Sequence, residues 1–152
     1  MNIKVNGKYM NYLNRHNYNN LINWLMNYCF DHSIGACLTN ELPDDVGGKS
    51  YIIPADLVVV NNRWHDELEI PFIFAHEIGH IKTGIPCSYH VSISNTDKGE
   101  ADANKFAINL FIKYCKENDF NFSTYFNFAE SFYIPLKFYY LLPDCTEDWI
   151  IA

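Results

Sequence analysis

His76, Glu77 and His80 stand in the order H-E-x-x-H, inside Ala75-His76-Glu77-Ile78-Gly79-His80. Residues four apart on a helix differ by about 40° around its axis, so both imidazoles project from one face and can share a single metal ion, with Glu77 beside them. Zinc suits this donor set. Two imidazoles and one further ligand leave a fourth tetrahedral position for water, the arrangement of a catalytic site rather than a closed structural one. A carboxylate within reach of that water is a general base for hydrolysis. The chemistry requires that 76–80 be helical and that a third ligand arrive from another part of the chain.

Glu100 is the preferred third ligand. It lies on the same helical stripe as Ala103, Ala107 and Leu110, the face expected to point inward. A carboxylate aimed at a core is costly without a partner, and a metal supplies one. Cys87 and His90, in the loop just after the motif, are the alternatives. Asp97 and Asp102 flank Glu100, but Asp102 is turned about 200° from it and is expected to face solvent. Asn104 lies one turn on from Glu100 and can present its amide oxygen to the free nitrogen of a ligand histidine, His76 in preference, which would fix the tautomer. Tyr89, His90 and His65 are candidate donors to an oxyanion.

The elements that must position these residues are legible in outline. Tyr18, Leu21, Ile22, Leu25, Cys29 and His32 recur at a helical spacing and predict a first helix that ends before Gly35. Residues 1–17 have little periodicity and read as an irregular arm. Short strands are expected at Ala36–Thr39, Tyr51–Ile53 and Leu57–Val60, with a turn over Leu42–Lys49, giving a small antiparallel three-stranded sheet. Asp66 can cap the next helix, with Glu69 in capping-box spacing, but Pro71 suits a first helical turn, so the regular helix is expected from about Pro71 to Thr83. After a polar loop over 92–99, Ala103, Phe106, Ala107, Leu110, Phe111 and Tyr114 mark a third helix. The segment from Phe120 to Tyr140 holds ten aromatic residues and is expected to split at Pro135 into two short helices, too aromatic to bury every ring.

The chain has 152 residues, 49% of them hydrophobic, which suits one α+β domain over 1–152 with a helical tail from 120. A net charge of -7 makes direct nucleic-acid binding unlikely as a function class, because phosphate backbones are repelled. No apolar run is long enough for a membrane span, and the Asn-rich N-terminal segment has no signal-peptide core, so the cytoplasm is the expected location. Five cysteines (Cys29, Cys37, Cys87, Cys115, Cys145) without a C-x-x-C fit reduced thiols, mostly in the core.

Taken together, Ala75–His80, the strand Leu57–Val60 with Asn61 and Asn62 before it, and Glu100-x-x-Ala103-Asn104-x-Phe106-Ala107 after it resemble the ImmA/IrrE family of zinc metallopeptidases. The resemblance covers roughly residues 21–111. It implies a reduced zincin-like fold, His76, His80 and Glu100 as zinc ligands, and Glu77 as catalytic base. It also implies a protein substrate, typically a transcriptional regulator such as the repressor of a phage or mobile element. Where the family often continues with a Leu-Leu-Met-Pro type segment, this chain has Phe111-Ile-Lys-Tyr-Cys115. The competing reading is an antirepressor or interaction module that keeps a metal and acts by binding alone; such a module has no need of Glu77.

Overall fold

The computed structural model describes residues 4–5, 8–9, 12–84 and 98–143. A two-stranded hairpin, β1 (Lys4–Val5) and β2 (Lys8–Tyr9), precedes helix α1 (Tyr12–Asp31). Then come β3 (Gly35–Thr39), β4 (Gly48–Tyr51) and β5 (Leu57–Asn61), followed by α2 (Ile70–Lys82), α3 (Lys98–Glu117), α4 (Tyr125–Ser131) and a 3-10 helix over Leu136–Leu141. The architecture is α+β, and among the described residues no helix is long and apolar enough to cross a membrane.

The sheet is mixed, not antiparallel as expected. Its order is β3-β5-β4, with β3 parallel and β4 antiparallel to β5. The cause lies at the end of β5. Asn61 is fully buried; its Nδ2 donates to the carbonyls of Pro43 and Val46, and its Oδ1 accepts from the Arg63 amide. Arg63 in turn donates to the carbonyls of Asn40 and Leu42. The backbone adds Asn62 N–H to Thr39 O and Asn61 N–H to Gly47 O. Residues 40–47 therefore wrap around Asn61–Arg63, carrying the chain from the β3 side of β5 to the other side. Three short strands cannot announce that crossing through alternation alone, because the inward and outward residues are the same in either order. Pairing also begins at Gly48 rather than at Tyr51, inside the stretch read as a turn.

Two helices begin earlier than their apolar stripes. α1 starts at Tyr12 and α3 at Lys98, because a helix once nucleated propagates through polar residues that carry no periodic signal. At α2 the expectation is closer: Asp66 Oδ1 accepts from the Leu68 amide and caps a 3-10 turn over Glu67–Glu69, and the α-helix follows with Pro71 in its first turn. Gly84, at φ +75°, lies just beyond its C-terminal end.

α2 is the centre of the molecule. One side lies on β4 and β5, another against α3, and α1 packs along it as well. Val58, Val60, Phe74, Ala75 and Ile78 are completely buried there, as are Ala107, Ile108 and Phe111 from α3. Cys29 and Cys115 belong to this core, whereas Cys37 is exposed on β3; Cys87 and Cys145 lie outside the described residues. Of the tail aromatics, Phe128 is fully buried, whereas Phe126 and Tyr140 are exposed.

Candidate metal centre

The position of the site is set by an unusually close helix crossing. A Cβ placed on Gly79 would lie 2.7 Å from the Ala103 carbonyl oxygen and 2.9 Å from its Cα. Glycine at 79 and a small residue at 103 thus let the α2 and α3 backbones touch, which brings the first turn of α3 beside the histidines of α2. Glu100 comes from that first turn.

Three side chains converge there. His76 Nε2 and His80 Nε2 are 3.1 Å apart; His76 Nε2 is 3.5 Å from Glu100 Oε1, and His80 Nε2 is 2.6 Å from Glu100 Oε2. His76, His80 and Glu100 form a group that could hold a metal ion, with their candidate donor atoms all within 4.8 Å of one another. Ligands about 2.0–2.1 Å from a tetrahedral ion lie roughly 3.3–3.4 Å apart, so two edges of this triangle are already near the right length. The short third edge is a hydrogen bond from His80 to Glu100, which an ion would replace.

Asn104 orients one of the three. Its Oδ1 accepts from His76 Nδ1 at 2.7 Å, which puts the proton on Nδ1 and leaves a lone pair on Nε2, facing His80 and Glu100. Asn104 is itself buried. His80 is buried too, and its Nδ1 has no hydrogen-bond partner among the described residues.

Electrostatics in the metal-free site follow from this crowding. For Glu100, burial pushes the pKa up, but hydrogen bonds and charge from His76 and His80 more than offset it and hold the pKa down at about 2. For His76, burial favours the neutral form, yet the hydrogen bond with Glu100 and the charges of Glu77 and Glu100 raise the pKa overall. Glu77 is raised as well, chiefly because its carboxyl is buried. Its Oε2 stands 4.0 Å from His76 Nε2, next to the triangle but outside it.

The remaining sequence candidates are placed differently. His65 is exposed in the loop before α2, its ring 4.4 Å from that of Trp64, toward the opposite end of the helix from His80. Cys87, Tyr89, His90 and Asp97 lie outside the described residues. Asp102 is half-buried, not turned fully to solvent as expected. Two residues were missed by sequence reasoning. Gly48 of β4 faces Glu77 so closely that a Cβ would lie 2.9 Å from Glu77 Cγ, and Ser50 is buried two residues further along the same strand. The signal is a glycine and a serine where an inward strand face calls for apolar side chains, but Gly48 falls in the stretch read as a turn and Ser50 between that turn and the expected strand.

Comparison of the chain with protein-family models, curated proteins and solved structures gives no match. The functional reading therefore rests on the motifs and on this geometry.

Proposed function

We propose that the protein is a zinc-dependent endopeptidase of the ImmA/IrrE type, with a reduced zincin-like fold, acting in the cytoplasm on a protein substrate such as a transcriptional regulator. One observation carries this reading. A buried carboxylate, Glu77, stands beside the His76–His80–Glu100 triangle without belonging to it. A site that held a metal for stability alone would have no use for an additional acid whose burial is costly.

Zinc held by His76, His80 and Glu100 would polarise a scissile carbonyl and make water more acidic, from pKa 15.7 toward about 7. Glu77 is then the chain's proton carrier: its Oε2 takes a proton from the attacking water and passes it to the departing amine. Burial supports both halves of that role, since a carboxyl pushed toward neutrality holds its proton long enough to deliver it. Asn104 keeps His76 in the ligating tautomer. On the sheet side, β4 is an edge strand, paired with β5 alone among the described residues. An extended peptide paired along its open edge would run close to Glu77, which packs on Gly48. The negative charge of the chain favours encounter with a basic partner.

The test is elemental analysis of the purified chain together with incubation of wild type and Glu77→Gln with regulators encoded beside it, followed by sequencing of new N-termini. About one zinc per chain in both proteins is expected, with cleavage by Glu77→Gln lowered about 10²- to 10⁴-fold. Inactivation of a regulator by both proteins alike, without new N-termini, would sink the peptidase and leave a binding module.

A further inference from the structure

The inner face of the three-stranded sheet carries one polar side chain. In the β4–β5 ladder Gly48 pairs with Val60 and Ser50 with Val58, and both valines are completely buried. Alternate residues of a strand share a face, so Gly48 and Ser50 look the same way, toward α2. The contact at Gly48 fixes what lies above them, because the stem of Glu77 rests on that glycine. Ser50 occupies the next inward position and is 2% exposed. Its Oγ and Glu77 Oε1 are both buried without a hydrogen-bond partner among the described residues. The hydroxyl nevertheless lies near enough to the carboxylate to oppose the effect of burial on it. Two buried oxygens left unpaired are costly, and because the serine hydroxyl can donate, a hydrogen bond from it to the carboxylate would remove both penalties.

We propose that Ser50 is a positioning residue for Glu77: its hydroxyl donates to Oε1, holding the carboxylate so that Oε2 faces the His76–His80–Glu100 triangle, and Gly48 leaves the space in which the Glu77 stem lies. This inference rests on the proton-carrying role given to Glu77 above. A serine retained merely as a small filler between α2 and the sheet would pack equally well as alanine and would be indifferent to what stands at position 77.

The test is a double-mutant cycle on the full chain, treated with chelator, in which the urea midpoint of unfolding is read for wild type, Ser50→Ala, Glu77→Met and the double variant. Ser50→Ala is expected to lower the midpoint when Glu77 is present and to leave it unchanged or raise it in the Glu77→Met background, where the hydroxyl has lost its acceptor. Equal shifts in both backgrounds overturn the contact. If Glu77→Met does not fold, the carboxyl band of Glu77, taken as the infrared difference between wild type and Glu77→Gln, decides instead. It should move in Ser50→Ala and be restored in Ser50→Thr; a band unmoved by Ser50→Ala overturns the proposal. With a cleaved regulator in hand, Ser50→Ala should lower kcat about 10- to 100-fold at unchanged KM and zinc content. An unchanged kcat would refute the positioning role. The cycle needs neither zinc nor substrate, so an absence of zinc or cleavage would remove the peptidase reading alone, whereas equal midpoint shifts would remove the Ser50 contact alone.

Discussion

The α2–α3 crossing and the aromatic C-terminal segment are both well packed, but they are held by different kinds of contact. At the crossing, one glycine meets one backbone, and each of His76, His80, Glu100 and Asn104 has a specified partner atom. In the tail, Phe132 has four aromatic neighbours, Phe111, Tyr114, Phe122 and Phe128, with centroids 5.3–6.3 Å away at angles from 40° to 80°. Phe72 stacks on Phe138 from the other direction. Rings of similar size in varied orientations can rearrange around a substitution, whereas polar atoms a few ångströms apart cannot. The difference separates a part held by adaptable apolar packing from the part that carries the candidate metal centre.

Substitutions can break that separation if it is wrong. Phe128→Ala, in the fully buried centre of the tail, should have the largest effect on folding, about 3–5 kcal/mol by chemical denaturation, with zinc stoichiometry unchanged in the folded fraction. Gly79→Ala should cost less stability, about 1–3 kcal/mol, since its methyl group forces the two backbones apart, yet it should abolish tight zinc binding in a calorimetric titration. If Phe128→Ala lost zinc and Gly79→Ala kept it, the division drawn here would be reversed. Asn104→Ala should weaken zinc about 10- to 100-fold by releasing the His76 ring, with little change in melting temperature of the metal-free chain.

The smallest effect sharpens the comparison through pH. In the metal-free fold Glu100 is depressed to about 2 from 4.5, so its contribution is present above pH 4.5 and is lost as pH falls toward 2. Glu77 and His76 are raised from 4.5 and 6.5, so their contributions are present below those values and are lost as pH rises through the folded ones. Melting temperatures of the chelated chain should therefore decline on both sides of a mildly acidic optimum. A zinc ion held there as proposed would replace the proton between His80 and Glu100, so the gap between loaded and chelated protein should widen as pH rises. A gap that is constant with pH would mean that protons and metal do not compete for these atoms.

Much of the site was legible because its residues are read locally. Four-residue spacing placed His76 and His80 on one face, and the stripe through Ala103 and Ala107 carried Glu100 inward with Asn104 one turn behind. What was not legible depended on partners distant in sequence. The strand order turns on Asn61 and Arg63 gripping a loop some twenty residues earlier, and no feature of the strands themselves encodes that grip. Gly48 and Ser50 acquire meaning only once β4 is known to lie under Glu77. The length of α1 was underestimated for a different reason, since the residues at its start carry no apolar periodicity.

The touching of Gly79 and Ala103 also bears on the order in which the molecule assembles. His76 and His80 become neighbours as soon as α2 coils, but Glu100 joins them only after two helices separated by a long connection have docked backbone to backbone. An ion meeting the nascent chain finds two donors, and the third arrives with the nearly native core. Metal capture at such a site would be a late event that bolts a finished joint, slowing the escape from the folded state more than it hastens the approach to it.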